Sequence, residues 1–205
     1  MRNKFGKLFM ALGIGLILGA LGLFGYNQYQ AHLAAQASVN TLSQLVEQAE
    51  AAEETAPTLV PDIPRDLLTE EEKRMKEMLI EGHSYIGFLT LPTLDLELPI
   101  MSEWSEEKLQ IAPCRYHGSL RANDLVLMAH NFDKHFGRIK NLELGDQVLF
   151  TDMDGNVTVY QVVAEDIVDP YAVKEIIAGD FDLTLFTCTY GGQSRVVAYC
   201  DRAEN

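Results

Sequence analysis

The sequence predicts a mainly β domain, a sandwich or closed barrel with short helices, preceded by one transmembrane helix and a stalk. Three observations carry this. Seven short β-rich runs separated by turn signals fill about 120 residues after Gly82. An uncharged apolar run occupies Leu8 to Tyr26, and the segment between the two is rich in Ala, Gln and Glu before a cluster of prolines. The organisation expected is a basic start and anchor over 1–30, a helical stalk and Pro-rich linker over 31–68, and a folded domain over 69–205.

The apolar run comes first. At roughly 1.5 Å per residue, its nineteen residues span about 28 Å, close to the hydrocarbon thickness of a bilayer. A cleaved secretory signal is the competing reading, and AAQA at 34–37 offers small residues for it. Against it, the run exceeds the usual length of a signal core, and Tyr26 and Tyr29 stand where a membrane interface would be. Arg2, Lys4 and Lys7 precede the span, so the positive-inside rule puts the N-terminus in the cytoplasm and everything after residue 30 outside. Residues 31–56 then read as a solvated helix, and Pro57, Pro61 and Pro64 as a stiff, extended linker.

Within the domain, Thr69 and Glu72 have the spacing of a capping box, with Met75, Met78 and Leu79 recurring behind them, which predicts a short amphipathic helix over 69–82. The texture then changes to strands: YIGFLTL, LDLELPI, LVLMAH, QVLFTD, VTVYQVV, LTLFTC and RVVAYC. Asp154–Gly155 between the fourth and fifth is a hairpin signal.

Charge limits the partners. Sixteen Lys and Arg stand against 30 Asp and Glu. Without Arg2, Lys4 and Lys7, 13 basic side chains remain and the net charge is near −17, so nucleic acid is a poor partner. Three cysteines in an exported chain leave at least one thiol free or paired between molecules, and a nucleophile is one reason to keep a free thiol in an oxidising compartment.

A thiol nucleophile needs an acid–base partner and a positive group for the oxyanion formed on the attacked carbonyl. Cys188 closes LTLFTC, Arg195 opens RVVAYC after six intervening residues, and His130 closes LVLMAH. A hairpin would bring thiol and guanidinium together. Singly, each has a plain reading as a buried small hydrophobe, a surface charge or a structural imidazole.

Together these residues carry a resemblance. TLFTC at 184–188 with the downstream Arg195 resembles the T-L-x-T-C signature and arginine of the sortase family. NDLVLMAHNFDKHFGRIKNLELGDQVLF at 123–150 is similar to the sortase stretch in which a strand delivers the catalytic His ahead of a Phe and a Gly-Asp. YIGFLTLPTLDLELPI at 85–100 resembles the family's opening hairpin. The resemblance covers residues 82–202. It implies a sortase-type closed β-barrel and a membrane-linked cysteine transpeptidase, of the kind that anchors surface proteins to the cell wall in Gram-positive bacteria. Cys188 would attack the scissile carbonyl of a C-terminal sorting signal of the Leu-Pro-x-Thr-Gly kind on exported proteins. His130 would protonate the departing amine and assist the incoming one, and Arg195 would hold the oxyanion or the substrate backbone. The acceptor would be an amine of a peptidoglycan precursor or a pilin. No apolar span follows the domain, which argues against the pilin-polymerising type, and the subclass stays open.

The remaining candidates read as structural. Cys114 and Cys200 are expected to be packing residues, Cys200 on the face of its strand opposite Arg195. Cys114 and His117 lack a second ligand pair for a metal. His135 is expected to be solvated. Asp152 and Asp154 suggest a hairpin rather than a calcium loop. Glu165, Asp166 and Asp169 leave room for a weak calcium site, but no cofactor is expected. Two rivals stand beside this reading: an idle membrane-anchored binding module with a sortase-like barrel, in which the three residues would be remnants, and a cysteine peptidase that uses the same residues and releases its product to water.

Overall fold

The structure, a computed structural model, describes residues 2–53, 68–69, 71–178 and 180–203. The segment holding Pro57, Pro61 and Pro64, expected as a linker, lies outside the described residues.

Helix α1, Arg2–Glu53, passes without interruption through the apolar run and the region expected as a stalk. Its portion Gly6–Gln30 is long and apolar enough to cross a membrane. Leu8, Phe9, Leu16 and Leu23 are exposed there, and a helix apolar all round, rather than along one stripe, has no single core-facing side. The stalk is not a solvated helix throughout, as the sequence suggested. Leu45 is fully buried and Thr41 is buried; Leu42 and Val46 pack beside Leu45 against Tyr85, Met101, Leu109, Ala112 and Cys114. A fully buried Leu is worth about 1.5–3 kcal/mol relative to exposure, which the Ala- and Glu-rich composition around it concealed.

Nine strands follow: β1 Met78–Ile80, β2 His83–Leu91, β3 Leu96–Met101, β4 Cys114–His117, β5 Leu125–Met128, β6 Gln147–Asp152, β7 Val157–Val168, β8 Leu183–Cys188 and β9 Arg195–Arg202. Their order is β1-β2-β3-β4-β5-β8-β9-β7-β6, and an antiparallel pairing of β2 with β6 closes the circle. Eight strands therefore form a closed, mainly β barrel, as expected, and β1 hangs on its edge. Each of the seven runs read from sequence holds one strand; β1 and β4 are additional.

Alternation along each strand sorts the side chains. Leu125, Leu127, Ala129, Leu183, Leu185, Ala198 and Cys200 join the central core with Leu89, Phe150 and Tyr160. Their neighbours Val126, Phe186 and Val197 form a separate apolar cluster, with Met128 and Tyr116 packed against it, beneath Ile176 of the short helix α3, Val173–Ile177. That second cluster lies on the outer side of the barrel wall.

The helix expected over 69–82 does not form. The capping box closes, with Thr69 N–H and Oγ1–H donating to Glu72 Oε2 at 2.8 and 2.7 Å and Glu72 N–H returning to Thr69 Oγ1 at 3.3 Å. After that turn the chain extends, and Met78–Ile80 pair antiparallel with His83–Tyr85. Ile80 is buried there, so sheet pairing and burial override the local helix preference. At 152–156, Asp152 accepts from the Asp154 and Asn156 N–H groups, both at 2.9 Å, so its carboxylate serves the hairpin.

Candidate active site

Cys188 ends β8, and its register partner on β9 is Arg195. β5 runs parallel to β8 with Met128 opposite Phe186. Beyond that pair Ala129 N–H donates to the Phe186 carbonyl at 3.3 Å, and Thr187 Oγ1–H donates to the Ala129 carbonyl at 2.8 Å. One residue further, His130 stands level with Cys188. Met128, Phe186 and Val197 belong to the outer cluster, so the same alternation puts His130, Cys188 and Arg195 on the outer face, at one end of three neighbouring strands. The structure thus brings the three sequence-predicted residues together. Cys114 and Cys200 are both completely buried, and burial pushes each thiol up to about 12. Cys188 is half-buried.

Arg195 is held by its own turn, Nη1–H donating to the Gly192 and Ser194 carbonyls at 3.2 Å each. The turn is closed at its base by Thr189 N–H to Ser194 O, 2.9 Å, and Ser194 N–H to Thr189 Oγ1, 3.0 Å. Gly191 and Gly192 have φ of 85° and 72°, which a side chain would oppose, so this short connection depends on them.

His130 is carried on a compact loop. Its carbonyl accepts from Phe136 N–H at 3.2 Å, and the Phe132 carbonyl accepts from His135 and Gly137 N–H at 2.9 Å each. A Cβ on Gly137 would stand 2.4 Å from the Asn131 carbonyl oxygen, so the loop closes only over glycine. The imidazole lies against Phe132, centroids 5.0 Å apart. Burial lowers its pKa from 6.5, and Glu106 opposes that fall.

Two residues near the site differ from or escape the sequence reading. His135 is wholly buried rather than solvated; its ring is 5.5 Å from that of Phe132, and neither nitrogen makes a hydrogen bond. The tight loop turns it inward. Gln110 was not singled out: its Nε2 lies 2.9 Å from His130 Nε2. A contact across twenty residues leaves no local signal, although the apolar Leu109, Ile111 and Ala112 beside it mark an anchored segment. Alongside, Trp104, Tyr116 and Phe186 follow one another with centroid separations of 5.6 and 5.3 Å, lining the outer face near the Cys188 end of β8. Among the described residues no group of three or more His, Cys, Asp or Glu is placed to hold a metal ion, and this includes Glu165, Asp166 and Asp169.

Comparison with known proteins bears on the fold and family. Sortase C of Streptococcus pneumoniae is 27% identical, with 81% of this chain and 94% of that one covered and a TM-score of 0.55. Sortase C2 of Group B Streptococcus pilus island 1 is 25% identical over 80% of this chain and 98% of its own, TM-score 0.55. Sortase C1 of Streptococcus suis is 25% identical over 61% and 76%, TM-score 0.54. No curated protein matches. The sortase domain family model matches residues 89–203, more than half of the sequence, and the chain belongs to the sortase family.

Proposed function

We propose that this chain is an active, membrane-anchored cysteine transpeptidase whose catalytic residues are Cys188, His130 and Arg195. The observation that carries the reading is the pairing of Cys188 with Arg195 across β8 and β9, with His130 level with them two residues beyond the end of β5. Family membership and the candidate span Gly6–Gln30 support it.

In the proposed reaction the Cys188 sulfur attacks the Thr carbonyl of a Leu-Pro-x-Thr-Gly-like sorting signal on an exported protein. The bond to glycine breaks, a thioester forms, and the thiol proton leaves with the amine by way of His130. An amine of a peptidoglycan precursor or pilin then attacks the thioester, its surplus proton returns through His130, and the Cys188 thiol is regenerated. Arg195 donates to the oxyanion or to substrate carbonyls. Its Nη1 already serves the turn, and the three remaining N–H groups on Nε and Nη2 form the side of the fork offered to a ligand. Trp104 and Tyr116 offer an apolar wall to an extended peptide. No cofactor is needed, and nucleic acid is not a partner. The N-terminus lies in the cytoplasm and the barrel outside.

The full chain in detergent, incubated with sorting-signal peptides and a glycine peptide, is expected to form an acyl adduct on Cys188 and then a transfer product, both read by mass spectrometry. Cys188→Ala abolishes both. An adduct on Cys114 or Cys200, or transfer by Cys188→Ala, overturns the site.

A further inference from the structure

We propose that Gln110 is a positioning residue for His130: its side-chain amide grips the imidazole at Nε2, first as a donor to the neutral ring and then, after turning over, as an acceptor from the protonated one. This rests on the reading of His130 as the acid–base group. The amide nitrogen and His130 Nε2 are 2.9 Å apart. An amide nitrogen carries only hydrogens, so Nε2 is the acceptor and the ring's proton sits on Nδ1. A proton arriving at Nε2 removes that acceptor. Half a turn about the last side-chain bond then presents Oε1 at the same reach. An uncharged amide, which both donates and accepts, can meet both states, whereas an ionised carboxylate only accepts and an ammonium or guanidinium only donates.

Gln110 is well placed to do this because the segment around it is held firmly. It caps the short helix α2, Glu106–Leu109, whose first turn is closed by Ser105 Oγ accepting from Lys108 N–H at 3.1 Å. Gln110, Ile111 and Ala112 N–H groups donate back into that helix at 3.2, 2.9 and 3.1 Å. Leu109 and Ala112 are buried in one cluster with Leu45 of α1, while the Gln110 side chain itself stays exposed. The amide therefore turns freely on a fixed base. The charged and titratable groups around the His130 ring are Glu106 from α2, His135 from its own loop, and Cys188 and Arg195 from β8 and β9. Among these, Glu106 favours the imidazolium, whereas the Gln110 contact adds a grip that is neutral in charge.

The test is nitrogen NMR of the full chain in detergent, with isotope-labelled histidine and the His130 signals assigned through His130→Ala. The wild-type ring is expected to show an unprotonated Nε2 and a protonated Nδ1 at pH 8. Gln110→Leu should erase that tautomer preference. Gln110→Glu should raise the midpoint of His130 protonation by one pH unit or more, because a carboxylate at this distance favours the imidazolium. With sorting peptide, both variants should lower kcat more than they raise KM, and Gln110→Asn should not rescue, being one methylene short. A protonated Nε2 in wild type at pH 8, or His130 signals untouched by Gln110→Leu, overturns the proposal. Tautomer and midpoint shifts in a chain that forms no acyl adduct leave the Gln110 contact standing and overturn instead the catalytic reading of His130.

Discussion

The buried His135 makes stability depend on acid in a way that can be worked out beforehand. Burial lowers its pKa from 6.5 to about 4, the charge on His130 adds to the fall, and the nearby Ile111 backbone opposes it without completing a hydrogen bond to either ring nitrogen. The folded chain thus keeps this ring neutral where the unfolded chain protonates it. The stability from the neutral ring is fully present above pH 6.5 and is lost as pH falls from there towards 4. Between pH 7.5 and 4.5 the loss attributable to this one residue is about 2.5 kcal/mol. His135→Leu removes the titration and two unpartnered nitrogens while filling similar space, so it is expected to be no less stable than wild type at pH 7.5. Urea unfolding of both full chains in detergent, followed by the fluorescence of the single Trp104, measures the difference at each pH. Carboxylates titrate in both proteins and cancel. An equal drop in wild type and His135→Leu would show that the ring is not held neutral, and a variant more than 2 kcal/mol weaker at pH 7.5 would point to a polar partner for the imidazole.

Arg195→Lys keeps a positive charge but not the planar fork, and transfer is expected to fall about 10²- to 10³-fold with the unfolding midpoint unchanged; near-normal turnover removes Arg195 from the site. Iodoacetamide at pH 8 should label Cys188 in the folded chain and spare Cys114 and Cys200, which are buried with thiols pushed up to about 12, and mass spectrometry of the digest distinguishes them. Protease added to intact spheroplasts should digest the barrel; survival until lysis would reverse the proposed orientation.

Much of the barrel was legible because alternation is a strong signal when one face is packed. QVLFTD and LTLFTC became β6 and β8 with the same ends, and the turn residues between runs fell in turns. β4 was not legible: CRYH is only four residues long and mixes cysteine with polar side chains. β1 was misread because Thr69 and Glu72 really do form the box that begins helices, and only the long-range pairing with β2 decides that none continues. At the site, Cys188, His130 and Arg195 stood out because each ends or opens a strand and the texture around them resembles a family. Gln110 and His135 did not, because their roles come from a loop folding over a loop, a proximity that no periodicity encodes.

The unbroken course of α1 bears on where the barrel can work. From Gln30, the end of the candidate span, to Thr41, a buried residue of the same helix, eleven helical residues measure about 17 Å. With Gly6–Gln30 in a bilayer, that distance acts as a ruler rather than a leash. A flexible tether would let the Cys188 end of β8 wander through a hemisphere, whereas a docked helix would confine it to a thin layer at one height above the lipid. Under the proposed function, encounter with a partner that is itself membrane-held would become a search in two dimensions, and only a scissile bond presented at that height would be reached. Lengthening the helix by one turn between Gln30 and Thr41 would lift the layer by about 5 Å and rotate the barrel little, changing which substrates are met without altering a single residue of the site.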